Sequence, residues 1–269
     1  RLFAPLTKWN KVIDTVDEIP HTLRTAFRAM TTGRPGAAHV GLPYDIQKQV
    51  LASPDIWAQS EHASVPAWRV APDAAAIQAL GAALSSSRRP VFVCGGGVVI
   101  SGAMEALDRV ASLLDAPVCT TVSGQGSLAE THPLCAGVVG SNGGVEQTRE
   151  VLDQADLVIF IGCRAGSTST EHWKVPARDV AIAHIDIDPM VISCNYATSV
   201  GIPADARLGL EALHGELVRA GRSRPQGAVD GQTLVARAKA GKRAAFAALA
   251  GSTEQPIRPE RVVAALNAV

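Results

Sequence analysis

Three stretches of the sequence place groups able to bind anions or hydroxyls directly after apolar runs. PVFVCGGGVVISGA, from Pro90 to Ala103, breaks into Gly95, Gly96 and Gly97; ADLVIFIGCR ends on Arg164; AHIDIDP closes an apolar run with Asp186 and Ile187. Glycines let a phosphate approach backbone N–H groups, a guanidinium offers a planar fork of donors, and a carboxylate can take a ribose hydroxyl. The spacing fits neither standard phosphate motif. Counting G-x-G-x-x-G from Gly95 puts Ile100 where the last glycine belongs, and Ala103 follows Gly102 where a P-loop requires lysine. On spacing alone a structural reading stays open, with the glycines turning the chain, Arg164 in a surface ion pair and Asp186 capping a turn.

The other reactive side chains form no constellation. His184 lies inside the strand-like AIAHIDI and reads as a satisfied core or ligand-edge histidine and not a base, and His132, before Pro133, reads as a loop residue. Asp186 and Asp188, two apart in AHIDIDP, read as no paired-carboxylate acid–base couple. No Ser/His/Asp or Cys/His set can be assembled. Cys94, Cys119, Cys135, Cys163 and Cys194 show no CxxC pair and no histidine at zinc-finger spacing, and read as buried thiols. The sequence therefore assigns no catalytic residue and no metal ligand.

The elements that must position these groups are legible in outline. The chain has 269 residues, 47% of them hydrophobic, with 25 basic against 25 acidic side chains. That composition supports a real core and offers no field for nucleic acid. The longest apolar runs fall short of the roughly 20 residues that span a bilayer, which predicts a cytoplasmic protein with no membrane partner. The chain starts at Arg1 with RLFAPLTKW, an opening that reads as a fragment of something longer.

Ile19, Leu23, Ala26, Phe27 and Met30 recur at helical spacing, TTGRPG ends that helix, and AAHVGLP reads as a strand, alone with its helix in the first 50 residues. Residues 51–71 carry Pro and Ser without either period and read as a linker. From 72 to 220 strands and helices alternate: a helix capped by Asp73, strand PVFVCGG, a helix from Gly102 to Leu114, strand PVCTTV, a Gly-rich loop, a helix from Glu146 to Gln154, strands DLVIFIG and VAIAHIDI, and a helix from Leu208 to Arg219. This pattern predicts an α/β doubly wound parallel sheet, a Rossmann-like central domain with partial flanking α/β segments. Residues 221–256, with the Ala/Lys/Arg-rich ARAKAGKRAAFAALA, read as a lightly anchored connector, and 257–269 as the start of a further domain.

Several ordered strings carry a family resemblance. LTKWNKVIDTVDEIPHTLRTAFRAMTTGRPGAAHVGLPYDIQ resembles the end of the pyrimidine-binding domain of thiamine diphosphate-dependent enzymes, especially the acetolactate synthase-like branch. RPVFVCGGGVVISGA, APVCTTVSGQGSLAETHPLCAGVVG, ADLVIFIGCR and AHIDIDP are similar, in order, to that family's central domain, and PIRPERVVAALN to the entry of its pyrophosphate-binding domain.

The resemblance implies a parent enzyme that uses thiamine diphosphate and magnesium on a 2-oxo acid, decarboxylating it or joining it to a second carbonyl, and working as a homo-oligomer. It also implies that this chain is catalytically incomplete, because the activating glutamate and the GDG-type diphosphate motif of the family have no counterpart in it. The alternative is a non-catalytic nucleotide-binding or interaction module of the same fold. In relatives the central domain holds FAD, ADP or nothing. Carried onto this sequence, Gly96 and Gly97 would face phosphate, Arg164 the nucleotide, Asp186 and Ile187 the ribose or adenine, and Asp205 the adenine side.

Two departures argue against FAD. Gly140-Ser141-Asn142-Gly143 replaces a Gly-Met-His-Gly type loop, and CRAGSTSTEHW replaces a Gly-Ala-Arg run with aromatic and acidic residues. Lys8, in the family's LTK motif, would border the substrate approach.

Overall fold

The computed structural model describes residues 2–53, 55–223, 227 and 229–268. Its backbone divides into two compact units, residues 1–70 and 71–269.

In the first unit β1 (Trp9–Val12) pairs in parallel with β2 (Ala38–Gly41), and α1 (Ile19–Thr31) connects them. The strand expected to stand alone therefore has a partner. WNKV alternates half-buried and exposed residues and is too short and polar to stand out as a strand; the pairing of Trp9 with Ala38 through Val12 with Gly41 is what defines it. Lys8 does not stand free: its ammonium donates to the carbonyls of Thr32 and Arg34 just past the end of α1. A short helix, α2 (Tyr44–Gln47), follows β2. The residues expected as a linker fold back along α1. Ala67 N–H donates to Thr31 O at 3.1 Å, Thr31 Oγ1 meets His62 Nδ1 at 2.9 Å, and the Arg24 guanidinium lies 4.2 Å from the Trp57 ring centre.

The second unit is built on six parallel strands: β3 (Pro90–Cys94), β4 (Val118–Thr120), β5 (Cys135–Val138), β6 (Leu157–Ile161), β7 (Ala181–Asp186) and β8 (Val200–Pro203). Their order across the sheet is β5-β4-β3-β6-β7-β8. Numbered within the unit this is 3-2-1-4-5-6, the doubly wound order with its switch point between the first and fourth strands. Every residue of β3 and β6 is buried, as expected of strands covered on both faces. β5 and β8 had no sequence signal, since CAGV and VGIP are short and each carries a glycine.

Helices α3 (Ala74–Ser86), α5 (Met104–Leu114) and α7 (Ala206–Arg219) cover one face. Leu80, Leu84, Leu107, Val110, Leu210 and Leu213 close that core around Phe92 and Ile159. Each such side chain contributes about 1.5–3 kcal/mol by leaving water. Asp73 caps α3 as expected, accepting from Ala76 N–H at 2.9 Å. Between β3 and α5 lies a separate short helix, α4 (Gly96–Ser101), ended by Gly102 at φ +64°, a left-handed position that suits glycine.

The opposite face is covered by α6 (Glu146–Asp153) and α8 (Gly231–Ala250), with Val151, Leu152, Val235 and Ala238 packed on Val91, Val158 and Phe160. The segment 221–256 is thus not a loose connector where it is described; residues 224–226 and 228 lie outside the described residues. Helix α8 is fixed at its start by Gly231 N–H donating to Asp115 Oδ2 at 2.9 Å, and farther along by Lys239 donating to the carbonyls of Glu130 and His132. A sparse apolar stripe is enough because small residues let the helix sit close. A Cβ on Gly231 would stand 2.0 Å from Asp115 O. The last helix, α9 (Pro259–Leu266), packs on α8. No described helix is long and apolar enough to cross a membrane.

Candidate functional site

In an open parallel sheet the binding crevice opens beyond the strand carboxyl ends at the switch point. Here that point lies between β3 and β6, whose last residues Cys94 and Ile161 are in register. There the two strand exits cross closely on each other's backbone. Gly95 N–H donates to Ile161 O at 2.9 Å, Gly97 N–H to Gly162 O at 3.1 Å, and Val98 N–H to Gly95 O at 3.1 Å. A Cβ on Gly97 would stand 2.6 Å from Gly162 Cα, and a Cβ on Gly162 would meet Gly97 Cα at the same distance. Gly162 itself adopts φ +54°. The glycines of β3 and β6 are therefore required by each other. Gly96 is the more open of the set; its Cβ position faces Ser123 O at 3.2 Å, in the turn after β4.

Around this crossing the structure gathers several of the expected residues. Cys163 lies against Gly95, and burial pushes its thiol up to about 11, against hydrogen bonds from Ala165 N–H and Ser169 that hold it lower. Arg164 follows with its side chain exposed, and Asp186 is only 7% exposed at the end of β7. Asp186 Oδ1 accepts from Asp188 N–H at 2.9 Å, a turn bond that spends one oxygen locally. Ile187 is half-buried beside it. His184 is 3% exposed and donates through Nε2 to Cys163 O at 2.8 Å; burial holds its pKa below the usual imidazole value. It is the hydrogen-bonded core histidine expected from the sequence.

Asp205 has a structural role that the sequence did not indicate. It is 4% exposed and serves as the N-cap of α7, accepting from Arg207 and Leu208 N–H at 3.1 Å each and from Ser101 Oγ at 2.9 Å. It therefore ties α7 to the end of α4. Ser101, its partner, carried no sequence signal, because a serine inside a short helix gives none. His132 sits in a bend, as expected, and adds a contact of 3.2 Å from Nε2 to Asp108 Oδ1. Four cysteines are buried, but Cys194 is exposed, against expectation. It follows the apolar MVIS but falls in a turn between β7 and β8.

The two departures from the flavin-type pattern meet in space. Ser141 N–H donates to Thr168 O at 2.8 Å, and the Cβ position of Gly140 is filled by Thr168 O and Ser169 Cα. Farther along, Glu171, His172 and Trp173 adopt φ of +48°, +58° and +60°, a left-handed turn that side chains disfavour. Ser167 Oγ lies 2.9 Å from His172 Nδ1, Trp173 N–H donates to Thr170 Oγ1 at 3.1 Å, and Arg149 pairs with Glu171 at 2.9 Å. The sequence had offered no hint of this turn. Among the described residues no group of three His, Cys, Asp or Glu side chains is placed to hold a metal ion.

For a nucleotide, several of the groups at hand are already engaged. The amides of Gly95, Gly97 and Val98 are already paired, and the Asp205 carboxylate is buried under its own helix cap. For thiamine diphosphate, the described side chains offer no cluster that would hold its metal ion.

Comparison with known proteins places this geometry. The chain is 39% identical over 221 residues to the "Probable acetolactate synthase large subunit" of Methanocaldococcus jannaschii, covering 81% of this chain and 37% of that protein. It is 31% identical over 222 residues to the glyoxylate carboligase of Escherichia coli O157:H7, covering 81% of this chain and 37% of that protein. The "Probable 2-ketoarginine decarboxylase AruI" of Pseudomonas aeruginosa aligns over 98% of this chain at 32% identity, and 44% of that protein is covered. The chain thus spans well under half the length of these relatives. In fold it superposes on benzoylformate decarboxylase from Polynucleobacter necessarius with a TM-score of 0.67 at 18% identity, covering 83% of this chain and 40% of that one. The sequence model of the central domain of thiamine pyrophosphate enzymes matches residues 77–213, the stretch that runs from α3 through β8 into α7. By that match the chain belongs to the thiamine pyrophosphate enzyme family, of which it carries the central domain.

Proposed function

We propose that this chain is the middle portion of a thiamine diphosphate- and magnesium-dependent decarboxylase or carboligase, acetolactate synthase-like, that acts on a 2-oxo acid. In that reading residues 1–50 close the pyrimidine-binding domain, residues 72–220 form the central domain, and residues 257–269 begin the pyrophosphate-binding domain. Thiamine diphosphate supplies the electron sink for the carbanion, and residues outside this chain hold it. The chain's own part is architectural: it supplies the central sheet of the enzyme. The assembled enzyme is a homo-oligomer, and its buried free thiols accord with the reducing cytoplasm.

The observation that carries the proposal is the alignment with the 2-ketoarginine decarboxylase relative. It runs over 98% of this chain, through both compact units and the tail, at 32% identity. A free-standing binding module would align over the central unit alone.

The test is a replacement. The segment of the Methanocaldococcus jannaschii relative that matches this chain is exchanged for it, and the chimera is assayed with pyruvate, thiamine diphosphate and magnesium beside the 269-residue chain alone. The chimera is expected to turn over and the isolated chain to stay at the blank. Turnover by the isolated chain, or a folded chimera with none, overturns the proposal.

A further inference from the structure

We infer that the switch-point crevice of this chain is a backbone lock and does not hold a nucleoside diphosphate across Gly95–Gly97, Arg164 and Asp186. A pyrophosphate at a strand-to-helix turn needs converging amide donors that the chain leaves unpaired. Here Gly95 donates to Ile161 O, Gly97 to Gly162 O and Val98 to Gly95 O, so of the four amides from 95 to 98 these three are spent on carbonyls. The crossing is too tight to part without cost. The Cβ position of Gly95 is 2.2 Å from Gly162 O, and those of Gly97 and Gly162 each lie 2.6 Å from the other residue's Cα.

A third strand end joins the same seal. A Cβ on Gly124, in the turn after β4, would stand 2.0 Å from Cys94 O. Beyond the sheet edge, Asp205 is spent on its helix cap and on Ser101, and one oxygen of Asp186 is spent on the Asp188 amide. The loop that would flank an extended ligand, Gly140–Gly144, is folded onto Thr168 instead. Glycines that look like a phosphate cradle in sequence thus serve to let three strand exits touch.

This inference is independent of the catalytic reading, because the chimera reports turnover whereas the crevice is read by its amides. The experiment is residue-resolved hydrogen exchange on the 269-residue chain, alone and with ADP or FAD at about 1 mM. In the free chain the Gly95 and Gly97 amides are expected to exchange as slowly, within about tenfold, as those of Phe92 and Ile159 in the strands they join. Neither nucleotide is expected to slow residues 95–101 or 162–166 beyond any change in α3 and α7. A nucleotide that binds elsewhere and leaves these amides unmoved supports the lock. Fast exchange at Gly95 and Gly97 in the free chain, or selective slowing there by either nucleotide, overturns it.

Discussion

Replacing Gly95 with alanine puts the strand crossing under the most direct strain. Gly95 sits at φ −99° and ψ −175°, a conformation any residue adopts, so the cost comes from contact and not from the backbone angle. The new Cβ would stand 2.2 Å from Gly162 O, 2.7 Å from Cys163 Cα and 2.8 Å from Cys163 Cβ, where ordinary contact begins at 3.4 Å. The exit of β6 must therefore retreat by about an ångström, and Gly162 O is also the acceptor for Gly97 N–H at 3.1 Å.

Overpacking of this kind costs about 1–3 kcal/mol and the strained hydrogen bond about 1 kcal/mol, while alanine returns about 0.4–1 kcal/mol by restricting the unfolded chain. The net loss is about 1–3.5 kcal/mol, equivalent to a fall in Tm of roughly 2–14 °C for a unit of this size. Gly166→Ala is the control, because nothing lies within 4 Å of its added Cβ. It should stay within about 0.5 kcal/mol of the parent. Urea unfolding followed by circular dichroism reads both as midpoint shifts at constant slope. Parent-like stability of Gly95→Ala, or equal loss in the two variants, refutes the crossing as the reason for the glycine.

Asp205→Ala removes the α7 cap and the carboxylate that receives Ser101 Oγ, and should cost about 2–3 kcal/mol. Asp205→Asn keeps a capping oxygen and should cost clearly less; equal midpoints for the two variants contradict the cap. His184, neutral and buried with its pKa below 6.5, binds fewer protons folded than unfolded. Its stabilisation is therefore fully present above pH 6.5 and is lost as the pH falls toward the folded value, so His184→Gln should flatten the acid limb of a stability profile; an unchanged limb counts against this. Only Cys194 is exposed, and burial raises the thiols of Cys94, Cys119, Cys135 and Cys163. Native protein should thus release one equivalent with a disulfide reagent at neutral pH and five after denaturation, and a second fast thiol would be inconsistent with the packing.

How much of the molecule was readable depended on how much signal each element carries by itself. PVFVC and LVIFI are apolar on both faces, so burial under two helix layers was legible from composition alone, and Asp73 marked the start of α3 through the chemistry of its cap. WNKV, CAGV and VGIP were not legible. Each has four residues, and each becomes a strand only because a neighbour supplies the hydrogen bonds. Helix α8 was visible as a helix but not as part of the core, because Val235 and Ala238 gain their burial from Val91 and Phe160, more than 70 residues away in sequence.

The candidate site divides the same way. The sequence by itself determined that small, cationic and acidic groups follow β3, β6 and β7, and it determined the family through the order of its motifs. Only the tertiary structure decided what those groups do. Whether a glycine amide is open to a phosphate or paired with a carbonyl depends on which backbone crosses above it. Gly97 and Gly162 are 65 positions apart and meet only because parallel pairing sets Cys94 beside Ile161. Asp205 was assigned to the adenine side by the resemblance alone, and the fold gives its oxygens to Ser101 and the first turn of α7.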